Sequence, residues 1–143
     1  TLEVLAYQAR NMPGLICPII NAGAGDMVYA AFYRSKDGGI VSRIGEYYVG
    51  DIQGLAEIVK ESVVLVGAEA GAYSQLIGQA RGSLDGIGVI ENVPRGSTVA
   101  LLAAARFERS KNDDVFSLVP LYLKESTAKA WVNKYSRNAQ VKM

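Results

Sequence analysis

The stretch LICPIINAGAGDMVYAAFYRSKDGGIVSRIGEYYV, from Leu15 to Val49, decides the fold. Leu15 to Asn21 is a continuous apolar run of strand length. Ala22-Gly23-Ala24-Gly25-Asp26 is rich in residues that tolerate a left-handed backbone, and so predicts a turn. Met27 to Arg34, with its Val, Tyr and Phe, predicts a second strand. Lys36-Asp37-Gly38-Gly39 is a strong hairpin signal, and Ile40 to Val49 predicts a third strand with Tyr47 and Tyr48 near its end. Three strands joined by tight turns form an antiparallel meander.

Outward from the meander the pattern becomes α/β. Before it, Leu2, Leu5, Ala6 and Ala9 recur at helical spacing, and Asn11-Met12-Pro13-Gly14 ends that helix. The sequence opens at Thr1, on this helix's own cap, which leads to the expectation that another segment precedes it. After the meander, Asp51 caps a helix whose Ile52, Leu55, Ala56 and Val59 share one face. Ser62 to Gly67 is a short apolar strand of the kind buried in a parallel sheet. Ala72 to Arg81 predicts a weaker helix, and Ile87 to Ile90 a short strand flanked by glycines. Ser97 is the expected cap of the longest helix, Thr98 to Arg109, with an apolar stripe of Val99, Leu102, Ala103 and Phe107. The order suits a mixed sheet with helices on its faces. Residues 1–126 form the expected domain and 127–143 a polar, basic tail.

Composition narrows the function. The chain has 143 residues, half of them hydrophobic and a fifth charged, as expected of a single globular domain. A net charge of +1 gives no global argument for nucleic acid or a membrane surface. No apolar run approaches the roughly 20 residues that span a bilayer, and the N-terminal stretch lacks a signal-peptide pattern. Cys17, the single cysteine, sits in an apolar run and reads as a buried, inert thiol in a reducing, cytoplasmic setting. Histidine is absent, which removes Ser-His-Asp and Cys-His mechanisms and His-based zinc sites.

Four candidate sites remain, each with a plainer reading beside it. Gly23 to Asp26 is a Gly-rich loop, but a strand follows it rather than the helix N-terminus that a dinucleotide fingerprint requires, so it reads as a hairpin turn. Asp113 and Asp114 could bind a hard cation or act as a carboxylate pair, but adjacent carboxylates in a polar loop more often just solvate it. Tyr29, Tyr33, Tyr47 and Tyr48 could stack on a base, or simply pack in the sheet. Lys129, Lys134, Arg137 and Lys142 interleave with Trp131 in the tail, a weak pattern for RNA contact. The residues therefore assign no catalytic group, cofactor or metal ligand.

Ile-Ile-Asn-Ala-Gly-Ala-Gly-Asp-Met-Val-Tyr-Ala-Ala-Phe-Tyr, Ile19 to Tyr33, resembles the hairpin opening the C-terminal domain of the TsaB (YeaZ) family, approximately Ile-Asp-Ala-Arg-x-Gly-Glu-Val-Tyr-x-Ala. Thr1 to Ala6 is similar to the family's Ser-Thr-Leu-x-x-(Met/Leu)-Ala helix, and Val119 to Lys124 to its closing Pro-x-Tyr-Leu-Arg segment. The matches run in order along nearly the whole chain. Asn21, Gly23 and Asp26 stand where the family has Asp, Arg and Glu, so no binding role carries over to them. The resemblance implies a ribonuclease H-like (actin-like) fold. It also implies an accessory role in synthesis of threonylcarbamoyladenosine in tRNA, exercised through contacts with an N-terminal half and a TsaD-like enzyme. The family's glycoprotease label derives from that partner, and no protease machinery is present here.

Two other readings stay open. One is an actin-like or sugar-kinase-like half-domain whose hairpin holds a nucleotide phosphate; the other is an RNA or protein adaptor. A half-domain leads to the further expectation of an apolar surface around the helix of Leu2 to Arg10, hidden by homodimerisation.

Overall fold

The structure, a computed structural model, describes residues 1–23, 25–36 and 39–109, together with 114, 116, 117, 119, 120 and 123. The expected tail, 127–143, and its basic residues and Trp131 lie outside the described residues, as does the boundary at 126.

Among the described residues the elements follow in the order α1 (Leu2–Gln8), β1 (Leu15–Asn21), β2 (Met27–Lys36), β3 (Ile40–Asp51), α2 (Ile52–Ile58), β4 (Val63–Gly67), α3 (Ala70–Arg81), β5 (Ile87–Glu91) and α4 (Gly96–Arg109). The strands form one sheet in the order β3-β2-β1-β4-β5. β1, β2 and β3 are the antiparallel meander, while β4 runs parallel to β1 and β5 parallel to β4. All five residues of β4 are buried, as expected of a strand flanked by strands and covered on both faces.

Alternation along the strands sends side chains to two cores. On one face Cys17, Ile19, Val28, Ala30 and Leu65 meet Leu55 of α2 and Tyr73 and Ile77 of α3. On the other, Ile16, Ala31, Tyr33, Val64 and Val66 meet Leu2, Leu5, Ala6 and Ala9. Pro18 has no N–H to donate. The pairing of β1 with β2 accordingly holds at Leu15, Ile16 and Ile19 to Asn21 but lapses at Cys17 and Pro18.

One expectation needs correcting. Ser97 does not cap α4: the helix begins at Gly96, and the Arg95 carbonyl accepts from Thr98 N and Val99 N, both at 3.1 Å. Pro94 holds the preceding residue extended, and the chain turns helical before it reaches the hydroxyl. In α1, around which an apolar surface is expected, Leu2, Val4, Leu5 and Ala6 are all buried. The helix folds onto its own sheet. The uncovered apolar side chains lie beside it: Val93, and Val99, Leu101 and Phe107 of α4 are each about half exposed or more.

Candidate functional site

The Gly-rich loop is the tip of the β1–β2 hairpin. Ala22 N donates to Met27 O at 2.9 Å, closing the loop, and Gly23 and Gly25 adopt positive φ of 79° and 58°. Glycine takes that conformation at no steric cost. Gly23 N also donates to Asn21 Oδ1 at 2.6 Å. The Asn21 side chain thus braces the turn, a task its oxygen performs as well as an aspartate's would.

Behind the hairpin, at the carboxyl ends of β1 and β4, lies a cavity of about 230 Å³ lined by Ile19, Ile20, Asn21, Ala68, Glu69 and Tyr73. The chain leaves β1 for β2 on one side and returns as β4 on the other. This is therefore a topological switch point, where open α/β sheets hold ligands. Tyr73 OH donates to Glu69 Oε2 at 2.8 Å, one helical turn back. Burial, reinforced by the Glu69 hydrogen bond and the charges of Glu69 and Asp26, pushes the Tyr73 phenol up to about 12. Glu91, closing β5, brings its carboxylate against Gly71 in the first turn of α3, an end of the helix that favours negative charge. Sequence reading missed Glu69, Tyr73 and Glu91. The signal that would have found them is their position just past or at the ends of the parallel strands, and one turn into the following helix.

Burial and the Glu69 carboxylate together hold the Tyr73 phenol in its protonated form. Among the described residues no group of three or more His, Cys, Asp or Glu could hold a metal ion. Cys17 is fully buried, and burial alone pushes its thiol up to about 12, which leaves it inert.

Tyr33, Tyr47 and Tyr48 do not lie on one face, and Tyr29 on β2 stands opposite Ile20 and Val49. Tyr33 and Tyr47 pack in the α1-side core, whereas Tyr48 packs against the opposite one. Tyr33 is 3% exposed, and burial raises its phenol well above the usual value. The Arg43 guanidinium sits 4.2 Å from the Tyr47 ring centroid. Tyr48 OH donates to Asp51 O at 2.7 Å. Packing within the sheet accounts for these rings. Asp113 lies outside the described residues, and Asp114 is exposed with Oδ1 accepting from Phe116 N at 3.0 Å, so it braces a local turn.

A second concave surface runs between α1 and α4, about 390 Å³ lined by Thr1, Glu3, Val4, Pro94, Val99, Leu102, Ala103 and Arg106. An Arg106–Glu3 ion pair ties the two helices together. Gln8 Nε2 donates to Val93 O at 3.2 Å, fixing the segment that leads into α4. Val99, in that lining, is about half exposed, and Val93, Leu101 and Phe107 close to it in the chain are more so.

No helix among the described residues is long and apolar enough to cross a membrane. No family model matches the chain. It is 32% identical over 137 residues, 92% of its length, to the tRNA threonylcarbamoyladenosine biosynthesis protein TsaB of Bacillus subtilis. Among solved structures it resembles YeaZ from Pseudomonas aeruginosa, with a TM-score of 0.65 and 20% identity over 85% of this chain. It covers 57% of the first protein and 55% of the second, so it spans about half the length of each. The structural likeness shows the ribonuclease H-like (actin-like) fold, with the mixed sheet that the sequence predicts. The sequence match, carried across nearly the whole chain, and the structural likeness together support a TsaB (YeaZ) family protein.

Proposed function

We propose that the chain is a non-catalytic accessory domain of a TsaB-like protein, supporting threonylcarbamoyladenosine modification of tRNA through protein contacts. The observation that carries this reading is the 32% identity to a protein of that biosynthesis over 92% of the chain. Two features support the accessory part. The sequence has no histidine, and the crevice behind the hairpin holds one carboxylate, Glu69, and a Tyr73 phenol kept protonated beside it, a weak nucleophile in that form.

The contact surface in this reading is the α1–α4 face. Exposed aliphatic and aromatic side chains on one helix, beside a groove with a polar rim, suit a helix-on-helix interface. Its occupants would be the other half of a TsaB-like protein and, with it, a TsaD-like enzyme, in the cytoplasm where tRNA is modified. The direct test is co-purification of a TsaD-like enzyme with the chain joined to the part of the Bacillus subtilis protein that it does not match. Retention that Leu101→Glu and Phe107→Glu abolish supports the reading; retention indifferent to both rejects the α4 surface.

A further inference from the structure

The long strand at the edge of the sheet is only partly covered. β3 has twelve residues and α2, which follows it, only seven; at their usual rises these span about 40 Å and about 10 Å. The helix covers the Tyr48 end and leaves the other end open. There, Ile40, Ser42 and Ile44 oppose Lys36, Arg34 and Phe32 of β2 and share a face with them. Ile44 is 42% exposed, Ile40 45%, and Ile58 at the end of α2 51%. Ile44 and Ile58, with Leu15 and Phe32, floor a groove of about 350 Å³ whose rim is Arg34, Lys60 and Glu61, and Ile40 lies two places further along the same face of β3.

The rim has a definite charge pattern. Arg34 Nη2 donates to both oxygens of Glu61, at 2.8 Å and 2.7 Å, so that pair neutralises itself. Lys60 forms no ion pair among the described residues and leaves a positive charge at the mouth. Among the described residues β3 pairs only with β2, so its outer backbone groups offer a row of donors and acceptors beside the groove. Gly45, with φ 68°, interrupts the strand in the manner of a bulge and limits this open edge to the Ile40–Ile44 end.

We propose that this edge and groove dock an extended protein segment carrying branched aliphatic side chains at alternate positions and one carboxylate. The segment would add as a sixth strand beside β3, its main chain satisfying the open edge. Alternate side chains on one face would extend the Ile40–Ile44 row over the groove, and the carboxylate would meet Lys60. The site lies on the α2 side of the sheet, away from the α1–α4 face, and is independent of any contact there.

The test uses two synthetic blocked heptapeptides, alternating Val and Thr, with one Glu or one Lys at the same central position. Binding is followed by amide hydrogen exchange and NMR titration of the full chain. The Glu peptide should slow exchange in the Ile40–Ile44 segment and bind roughly fivefold more tightly than the Lys peptide, the size of a partly exposed ion pair. Lys60→Glu, a surface change that leaves the fold intact, should invert that preference, and Ile44→Lys should abolish binding of both. Equal binding of the two peptides, preference unmoved by Lys60→Glu, or no protection at β3 would overturn the proposal. So would protection that rises with the chain's own concentration without peptide, which would assign the edge to a second copy.

Discussion

Gly67, the last residue of β4, stands so close to the carbonyl oxygen of Ile19 that a β-carbon at this position would collide with the β1 backbone. The contact sits where the two central parallel strands end and where the crevice behind the hairpin begins. It accounts for glycine here without any appeal to backbone conformation.

Gly67→Ala should therefore destabilise the chain by about 1–3 kcal/mol, the usual range for an inserted methyl in a packed interior. Chemical denaturation reads the change directly. An unchanged midpoint would mean that β1 and β4 can separate without cost.

The start of α2 offers a second measurement. Asp51 Oδ1 accepts from Gly54 N at 2.8 Å, satisfying one of the free N–H groups at the helix start. Asp51→Ala should cost about 1 kcal/mol, and Asp51→Asn should restore most of it. Equal losses in both variants would show that charge, not capping geometry, matters at this position.

Alkaline pH probes the buried acids. Cys17 and Tyr73 have folded-state values pushed up to about 12 from ordinary values of 9.0 and 10.0. Each is neutral in the folded chain at a pH where the unfolded chain has already ionised. The stability they contribute is complete below about pH 9 and is lost as pH rises from there toward 12. The melting temperature should fall over that window, and Tyr73→Phe should flatten part of the fall. In the native chain at pH 8, Cys17 should also resist thiol reagents until denaturant is added; labelling at the rate of a free thiol would show that the core opens.

Much of the architecture was legible because its signals are local. Gly23 and Gly25 announce a turn, Asp51 announces a helix start, and the apolar run ending at Gly67 announces a buried strand. Long-range placement was less legible. The helical spacing of Leu2 and Leu5 is the same whether they face solvent, a partner or their own sheet, and only the fold shows that they are buried. The tyrosines divide between two faces because strand alternation and an irregularity near Ala30 to Phe32 decide their direction. Glu69 and Tyr73 meet through local helical spacing, but Glu91 reaches the first turn of α3 only once β4 and β5 lie side by side, an adjacency that no spacing in the sequence records.

Helix α4 gives a contrast within one element. Thr98 is its buried residue, whereas Leu101 and Phe107 are 59% and 65% exposed. Leu101→Glu and Phe107→Glu should each change stability by less than about 0.5 kcal/mol, as at exposed sites. Leu5→Glu, placing a charge in the core, should prevent folding or cost several kcal/mol. Melting temperatures of the three variants decide it, and a large loss at Leu101 would show that α4 is part of the core.

The central claim is a role in threonylcarbamoyladenosine synthesis, and the modified nucleoside itself is the most direct readout. The chain is joined to the part of Bacillus subtilis TsaB that it does not match, the fusion is expressed in cells depleted of TsaB, and threonylcarbamoyladenosine in bulk tRNA is quantified by mass spectrometry. The account predicts that the fusion restores the nucleoside, that Asp26→Ala in the hairpin leaves it restored, and that Phe107→Glu lowers it. A folded, well-expressed fusion that leaves the nucleoside at the depleted level would contradict the account.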